Sequence, residues 1–136
     1  MFANTMMGGV QMGFPDTCTT PGVAAGAPAP VPYPNIGVGA TTIPPTNAMN
    51  VLVSCAPAQN QLTMGTISNG DNAGVMLGVA SGMVMGPQGF TLGSLTVFMG
   101  GPPAQRLTSM TKHNGASMND PGISAVPSQV KCLVLG

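Results

Sequence analysis

The side chains best suited to chemistry are the soft metal ligands, and the chain has only four of them: Cys18, Cys55, His113 and Cys132. Three thiolates and one imidazole make a complete tetrahedral set for a structural zinc ion. The sequence has no C-x-x-C or H-x-x-x-H pair, so one ion would have to join four separate elements. The alternative is three buried reduced cysteines and an ordinary histidine, because free cysteine is commonly buried. Spacing alone leaves both interpretations open.

Catalysis is not expected from these residues. A catalytic zinc ion keeps one coordination position open for water and needs a general base nearby, whereas four protein ligands would fill the sphere. The chain has no Glu, and Asp16, Asp71 and Asp120 each stand next to a proline or a glycine, where Asp is common for backbone reasons. The sequence also lacks a G-x-S-x-G nucleophile motif. We therefore predict that the protein is not an enzyme.

The element that must position Cys18 is residues 14–37, which contain six prolines. From Pro28 to Pro34 every second residue is proline, which fixes φ and pushes the preceding residue into an extended conformation. The pattern predicts a stiff, extended strap that loses little entropy on docking. Tyr33, the only Tyr of the chain, can anchor the strap through a large ring with a polar tip.

Five motifs follow one another along the chain. They are F-P-D-x-C at 14–18, P-V-P-Y-P-N-I at 30–36, S-N-G-D-N-A-G at 68–74, R-L-T-S-M-T-K-H-N at 106–114 and P-S-Q-V-K at 127–131. In this order they resemble the PAAR-like proteins that cap the spike of bacterial type VI secretion systems. The resemblance covers nearly the whole chain. It departs at Asn72, where many relatives have Glu, so no acidic role falls on that position.

The resemblance bears on the metal question as well. Proteins of the PAAR type hold a metal near the tip with His and Cys side chains. For this chain that implies a structural zinc ion bound by Cys18, Cys55, His113 and Cys132.

Composition narrows the class of protein. Only 4% of the residues are charged and 43% are hydrophobic, with a formal net charge of zero, which argues against disorder despite 20 Gly and 14 Pro. So few Lys and Arg residues give no electrostatic basis for nucleic-acid binding. A surface this neutral suggests that a partner covers much of it. No secretory signal is visible, and three cysteines do not suit a disulfide framework.

A run of glycines at every fourth residue, from Gly70 to Gly86, allows two interpretations. Repeated G-x-x-x-G in apolar sequence can mark a transmembrane helix pair. The apolar part, Ala73 to Met85, has however only 13 residues, about 20 Å as a helix against about 30 Å of hydrocarbon. We favour a packed strand in which the glycines let another backbone approach closely.

Short strands are predicted elsewhere, at 51–55, 61–68, 90–99, 106–111 and 126–135, with turns at 69–71 and 112–115 and a hairpin around Gly8–Gly9. The 12 methionines could form a soft binding surface, but we favour the interpretation that they fill gaps in an irregular core poor in aromatic residues. The predicted fold is mostly β: a compact, cone-like single domain of short strands and hairpins with long Pro/Gly-rich loops, and one short helical turn. Residues 1–136 are expected to form one PAAR-like domain with no appended toxin domain.

The resemblance implies a function as a structural tip that caps and sharpens a trimeric, VgrG-like spike and helps to load effector proteins or their chaperones. Such a protein would stay in the bacterial cytoplasm until loaded and leave through the apparatus without a signal peptide. The alternative is a small membrane-inserting or toxin-associated module that uses Ala73 to Met85.

Overall fold

The strap, residues 14–37, folds back on itself between Ala24 and Ala27 in the computed structural model, which describes residues 1–136 apart from the side chain of Val23. Its alternating prolines, 28–34, lie in the second arm of this hairpin. Strand β1 (Val10–Ala24) pairs antiparallel with β2 (Ala27–Val38). Successive backbone nitrogens of a strand point to opposite sides. The nitrogens of the four alternating prolines of β2 therefore all point away from β1. They therefore leave no donors along that edge, which is where proline is tolerated in a sheet. The extended conformation predicted for the strap is confirmed.

The hairpin belongs to a six-stranded antiparallel sheet with the order β2-β1-β8-β7-β6-β5. A separate two-stranded sheet pairs β3 with β4. The remaining strands are β3 (Ala48–Val53), β4 (Ala56–Ala58), β5 (Met64–Gly65), β6 (Gln88–Leu92), β7 (Met110–His113) and β8 (Asp120–Val126). Single bridges at Thr42–Gly65 and Ile36–Asn69 link the two edges of the large sheet, so the sheet curls around its inner face. The mostly β prediction is confirmed.

The curled sheet has polar side chains inside and most of its large apolar side chains outside, although Phe90 of β6 is buried. On β1 Gln11 is buried while Met12 is exposed, and on β8 Ser124 is buried while Ile123 is exposed. The expected methionine-filled core is wrong, because most methionines lie on the surface. The one apolar cluster is small and consists of Ala3, Ala48, Val53, Ala58 and Val134, with partly buried neighbours around it.

The glycine-rich stretch is not the packed strand that we predicted. Residues 71–86 form a series of turns that lies across β1 and the β7–β8 connection. The reason given for the glycines holds at Gly70 and Gly86, where a Cβ would overlap the backbone of Pro34 and of Gly115. At Gly74 and Gly78 a Cβ would instead overlap the side chains of Cys18 and Asn119, and Gly82 has no neighbour within 4 Å. Across the residues described, no helix has both the length and the apolar character needed to span a membrane.

Several predicted boundaries are also wrong. The last strand ends at Val126 rather than beginning there, because Pro127 cannot continue a ladder. The strands predicted at 61–68 and 90–99 shrink to β5 and β6. Residues 69–71 make no hairpin, and the N-terminal residues bridge to distant segments at Phe2, Ala3 and Thr5 instead of pairing around Gly8–Gly9. There are two short 3-10 turns, Gly39–Thr41 and Pro44–Thr46, instead of one.

Candidate metal centre

Three ligand-bearing side chains meet in the protein interior: Asp16 and Cys18 of β1, and Asp71 from the glycine-rich segment. One ligand atom of each lies within 4.8 Å of the other two, and all three residues are buried. Asp16 and Cys18 are two positions apart on an extended chain, so their side chains project from the same face. Asp71 reaches them because Gly74, three residues later, can lie directly on Cys18.

The distances within this triad suit a single ion. Cys18 Sγ lies 3.5 Å from Asp16 Oδ1 and 3.5 Å from Asp71 Oδ2. Zinc bonds of about 2.3 Å to sulfur and about 2.1 Å to oxygen place neighbouring ligand atoms about 3.6 Å apart in a tetrahedron. The thiol and the two carboxylates therefore fit zinc in both chemistry and spacing, and they would supply three of its four ligands.

The amide of Asn114 caps the triad. Its Nδ2 donates to Asp71 Oδ2 at 2.7 Å and to Asp16 Oδ1 at 3.2 Å, and lies 3.5 Å from Cys18 Sγ. Its Oδ1 accepts from the backbone N–H of Gly86 at 3.0 Å, which fixes the orientation of the amide. An ion held by the triad would compete with this amide for the same lone pairs.

Two further amides bind the Asp16 carboxylate. Asn35 donates to Oδ2 and Asn119 donates to Oδ1. The Asn119 oxygen accepts from the N–H groups of Ala80 and Ser81, at 2.8 and 3.2 Å, so its nitrogen must face the cluster. Asp16 thus ties β1 to β2 and to the β7–β8 connection.

Burial shapes the acid–base behaviour of the triad. Burial, with additional repulsion from Asp16 and Asp71, raises the pKa of Cys18 to about 12. Burial also raises the pKa of Asp71, against the lowering effect of the Met85 N–H group that donates to it at 3.1 Å. Without a cation, Cys18 is therefore a thiol that donates weakly to its neighbours. A bound metal would reverse this, because a coordinating thiol is deprotonated.

His113 and Asp120 lie directly opposite each other, at the end of β7 and the start of β8. Their sequence neighbours Asn114 and Asn119 contact the triad. His113 and Asp120 are both fully buried. His113 Nε2 is 3.0 Å from Thr111 Oγ1, but Nδ1 has no hydrogen-bond partner, and neither do the two carboxylate oxygens of Asp120. Burial lowers the pKa of His113 to about 4 and raises that of Asp120 to about 7, with Asp16 and Asp71 adding to the latter shift.

The structure does not assemble the ligand set predicted from the sequence. Cys18 lies in the triad and His113 lies beside it, but Cys55 is exposed in the turn after β3, next to Met6 and Met7. Cys132 is half-buried against the small apolar cluster. Among the residues that the structure describes, the triad is the one group of three or more ligands close enough to share an ion.

Sequence reasoning missed the aspartates because each stands beside a turn-forming residue. Two signals were available. The D-x-C spacing of Asp16 and Cys18 places a carboxylate and a thiol on one face of any strand. The chain also has only three acidic residues, and each lies within a motif or next to an Asn, His or Cys that now contributes to the same site.

Comparison with known proteins gives one finding. The profile of a family described as the toxin PAAR-like domain matches residues 9–122. No curated protein and no solved structure matches the chain. The matched region includes all the residues of the triad, together with Asn114, His113 and Asp120.

Proposed function

Because this chain belongs to the toxin PAAR-like domain family, we propose that it is a structural protein that caps the trimeric spike of a type VI secretion apparatus. The family match, which extends over residues 9–122, is the observation that carries this proposal. In this role the chain is not an enzyme. It waits in the bacterial cytoplasm, is loaded on the spike, and leaves with it without needing a signal peptide.

The outer face of the sheet supports docking onto a larger partner. One large apolar side chain per strand lines up across five neighbouring strands in register. This apolar stripe consists of Ile36, Met12, Ile123, Met110 and Leu92, which are between 40% and 49% exposed. A contiguous apolar surface of this kind on a folded domain marks an interaction site. We assign the stripe to the spike.

The edge of the sheet is less suited to docking. The alternating prolines of β2 remove the donors that a neighbouring strand would need, which is a known way of blocking edge pairing. The spike would therefore contact a face of this protein rather than extend its sheet. Surface charge offers little obstacle, since the three aspartates are buried.

The proposal includes one structural zinc ion held by Asp16, Cys18 and Asp71. When bound, the ion would cross-link β1 to the glycine-rich segment and add its binding free energy to folding. Such a cross-link suits a small domain whose apolar cluster consists only of alanine and valine. Asn35 and Asn119 would hold the Asp16 carboxylate in place. A structural ion does not need a free coordination position for a reacting water.

Co-purification with the cognate trimeric spike tests the function. We expect one chain per trimer, and we expect Met12→Glu and Ile123→Glu to weaken the complex at least tenfold by placing charge in an apolar contact. The matched control is Leu95→Glu, because Leu95 is 77% exposed and lies outside the stripe. Wild-type binding by both stripe variants would remove the stripe from the interface. Absence of any complex would remove the spike-cap proposal.

The family description also favours a toxin-associated role, in which the same domain holds a toxin rather than a spike. The co-purification separates the two. Capture of a toxin without the spike trimer would favour the second role, and capture of the trimer alone would favour the first.

A further inference from the structure

Part of the glycine-rich segment presents a cluster of large apolar side chains to solvent, and the proposed spike contact does not use it. This apolar loop consists of Val75, Met76, Leu77, Val79 and Met83, which are between 40% and 64% exposed. The sequence carries no charged residue from Asn72 to Gln105. A dense cluster of exposed apolar side chains on a folded domain marks a contact surface, whereas scattered ones do not.

The buried glycines fix the apolar loop so that its side chains face outward. Gly78 forms a bridge with Cys18 of β1, and Gly74 lies against the same cysteine. Both glycines are buried, whereas the residues on either side of them are exposed. Asp71 closes the segment, because its backbone carbonyl accepts from Gly74 and its carboxylate accepts from the N–H group of Met85. The apolar side chains are therefore held outside and cannot simply fold back into the domain.

The backbone of this segment needs little from its surroundings. Between Gly74 and Gly86, eleven residues donate their N–H group to an acceptor within the protein. Backbone carbonyl groups accept from Gly74, Met76, Leu77, Gly78, Val79 and Gly82, and side-chain oxygens accept from Ala80, Ser81, Met83, Met85 and Gly86. Water is therefore not needed as a hydrogen-bond partner for these groups when the segment is covered.

We propose that the apolar loop binds the surface of a lipid bilayer, with its side chains entering between the headgroups. Hydrocarbon offers no hydrogen bonds, so a backbone can enter it only when its polar groups are satisfied internally. The exposed apolar side chains then favour transfer out of water. A protein partner fits less well, because protein interfaces use direct hydrogen bonds and centre on Trp, Tyr and Arg. Residues 73–86 contain none of these three residue types.

The apolar loop and the apolar stripe lie at different places along β1. β8 pairs with β1 only from Val10 to Gly13, and the loop is the neighbour of β1 at Cys18. Cys18 is six residues beyond Met12 of the stripe, which is roughly 20 Å along a strand. A spike on the stripe would therefore not need to cover the loop. The inference goes beyond the spike-cap proposal and does not depend on it.

Vesicle flotation of the full-length protein tests the proposal. The probe is large vesicles of phosphatidylcholine alone, compared with vesicles that also contain phosphatidylglycerol, at low and high salt. We expect the wild type to float equally with both kinds of vesicle and without dependence on salt, because the loop carries no charge. Val75→Asp and Val79→Asp should each lower the partition coefficient by about tenfold or more, because each places a charge among the acyl chains.

Leu95→Asp is the matched control, because Leu95 is 77% exposed and lies outside the loop. It should float like the wild type, and so should Met12→Glu of the apolar stripe. Circular dichroism of each variant separates a lost contact from a lost fold. If one aspartate variant does not fold, the other one and Val79→Thr, which keeps the shape of the side chain, decide the outcome.

A wild-type protein that does not float, or that floats only with phosphatidylglycerol at low salt, would overturn the proposal. Equal losses in Val79→Asp and Leu95→Asp would overturn it as well. If the wild type does not float and Val79→Asp loses a co-purifying protein, the loop contacts protein and the lipid assignment fails. Failure of the spike-cap proposal would be seen separately, as the absence of a spike complex from a protein that still floats.

Discussion

Replacing Asp120 and replacing His113 should change the pH dependence of the free energy of unfolding of the metal-free protein in opposite directions. Burial, then the charges of Asp16 and Asp71, raises the pKa of Asp120 from 3.8 to about 7. Burial lowers the pKa of His113 from 6.5 to about 4, against a smaller opposing effect of Asp16. Near pH 5.5 both groups are therefore neutral in the folded protein, whereas both are charged in the unfolded chain.

The signs follow from which state binds the proton. Folded Asp120 keeps a proton that the unfolded chain releases above pH 3.8, so its contribution to the free energy of unfolding falls as the pH rises towards 7. In the unfolded chain His113 binds a proton below pH 6.5, whereas in the folded protein it stays neutral down to about pH 4. The contribution of His113 to the free energy of unfolding therefore falls as the pH is lowered. Between about pH 5 and about pH 8 each contribution changes by about 2 kcal/mol, after a reduction of the Asp120 value for solvent screening. In the wild type the two largely cancel.

Urea unfolding at about pH 5 and about pH 8, with chelator and reductant present, measures how the free energy of unfolding changes between the two pH values. Relative to the wild type, Asp120→Asn should gain about 2 kcal/mol of stability on going to the higher pH, and His113→Gln should lose about 2 kcal/mol. Lys131→Gln, at an exposed position, should follow the wild-type profile. Parallel profiles for all four proteins would refute the reasoning, since they would mean that neither group is buried in the protonation state assigned to it.

Three other perturbations probe the same region. Removal of zinc by a chelator should lower the melting temperature of the wild type but not that of Cys18→Ser, and equal shifts in both would place the metal elsewhere. Gly74→Ala should cost about 3 kcal/mol and weaken zinc binding because the added methyl group displaces Cys18. Gly82→Ala is its control, since that position has open space and only a left-handed φ of 65, so it should cost about 1 kcal/mol and leave zinc binding intact. Asn114→Gly keeps the backbone at its φ of 58 but removes the capping amide, so it should cost roughly 2–3 kcal/mol without zinc and much less with it. A zinc-independent loss would show that the amide and the ion do not share the triad.

The strap and the fold class could be predicted because their signals are local. Alternating prolines leave few backbone choices, and the β-rich outcome follows from short segments that are too broken by Gly and Pro for helices. The positions of the ligands could not be predicted this way. Cys55 and Cys132 are chemically equivalent to Cys18 in the sequence. Only the packing of the glycine-rich segment on β1, where Gly74 lies against Cys18, selects the cysteine that meets two aspartates.

The orientation of the sheet was missed for a similar reason. Alternation along β1 separates Gln11 and Gly13 from Met12 and Phe14, but it does not say which set faces inward. The usual rule would bury the apolar set. Here Gln11 and Gly13 are buried. The register shift between Gly13 and Asp16 then brings Asp16 and Cys18, which strict alternation would place with Met12 and Phe14, to the same inner face.

This arrangement leaves the isolated domain with few ordinary sources of stability. Its apolar cluster contains only alanine and valine, whereas most of the larger apolar side chains, which would contribute about 1.5–3 kcal/mol each on burial, lie outside. The polar interior adds less, because a hydrogen bond made on folding replaces one made to water and has a net effect of only about 1 kcal/mol. In the proposed role, a metal bound by the triad would supply stability before assembly, and a partner on the apolar stripe would supply it afterwards. Docking of this kind depends on apolar burial, so it should show a negative heat-capacity change and little dependence on salt. Calorimetry of the complex at low and high salt checks this, and a steep loss of affinity in salt would mean that the three basic side chains, rather than the stripe, make the contact.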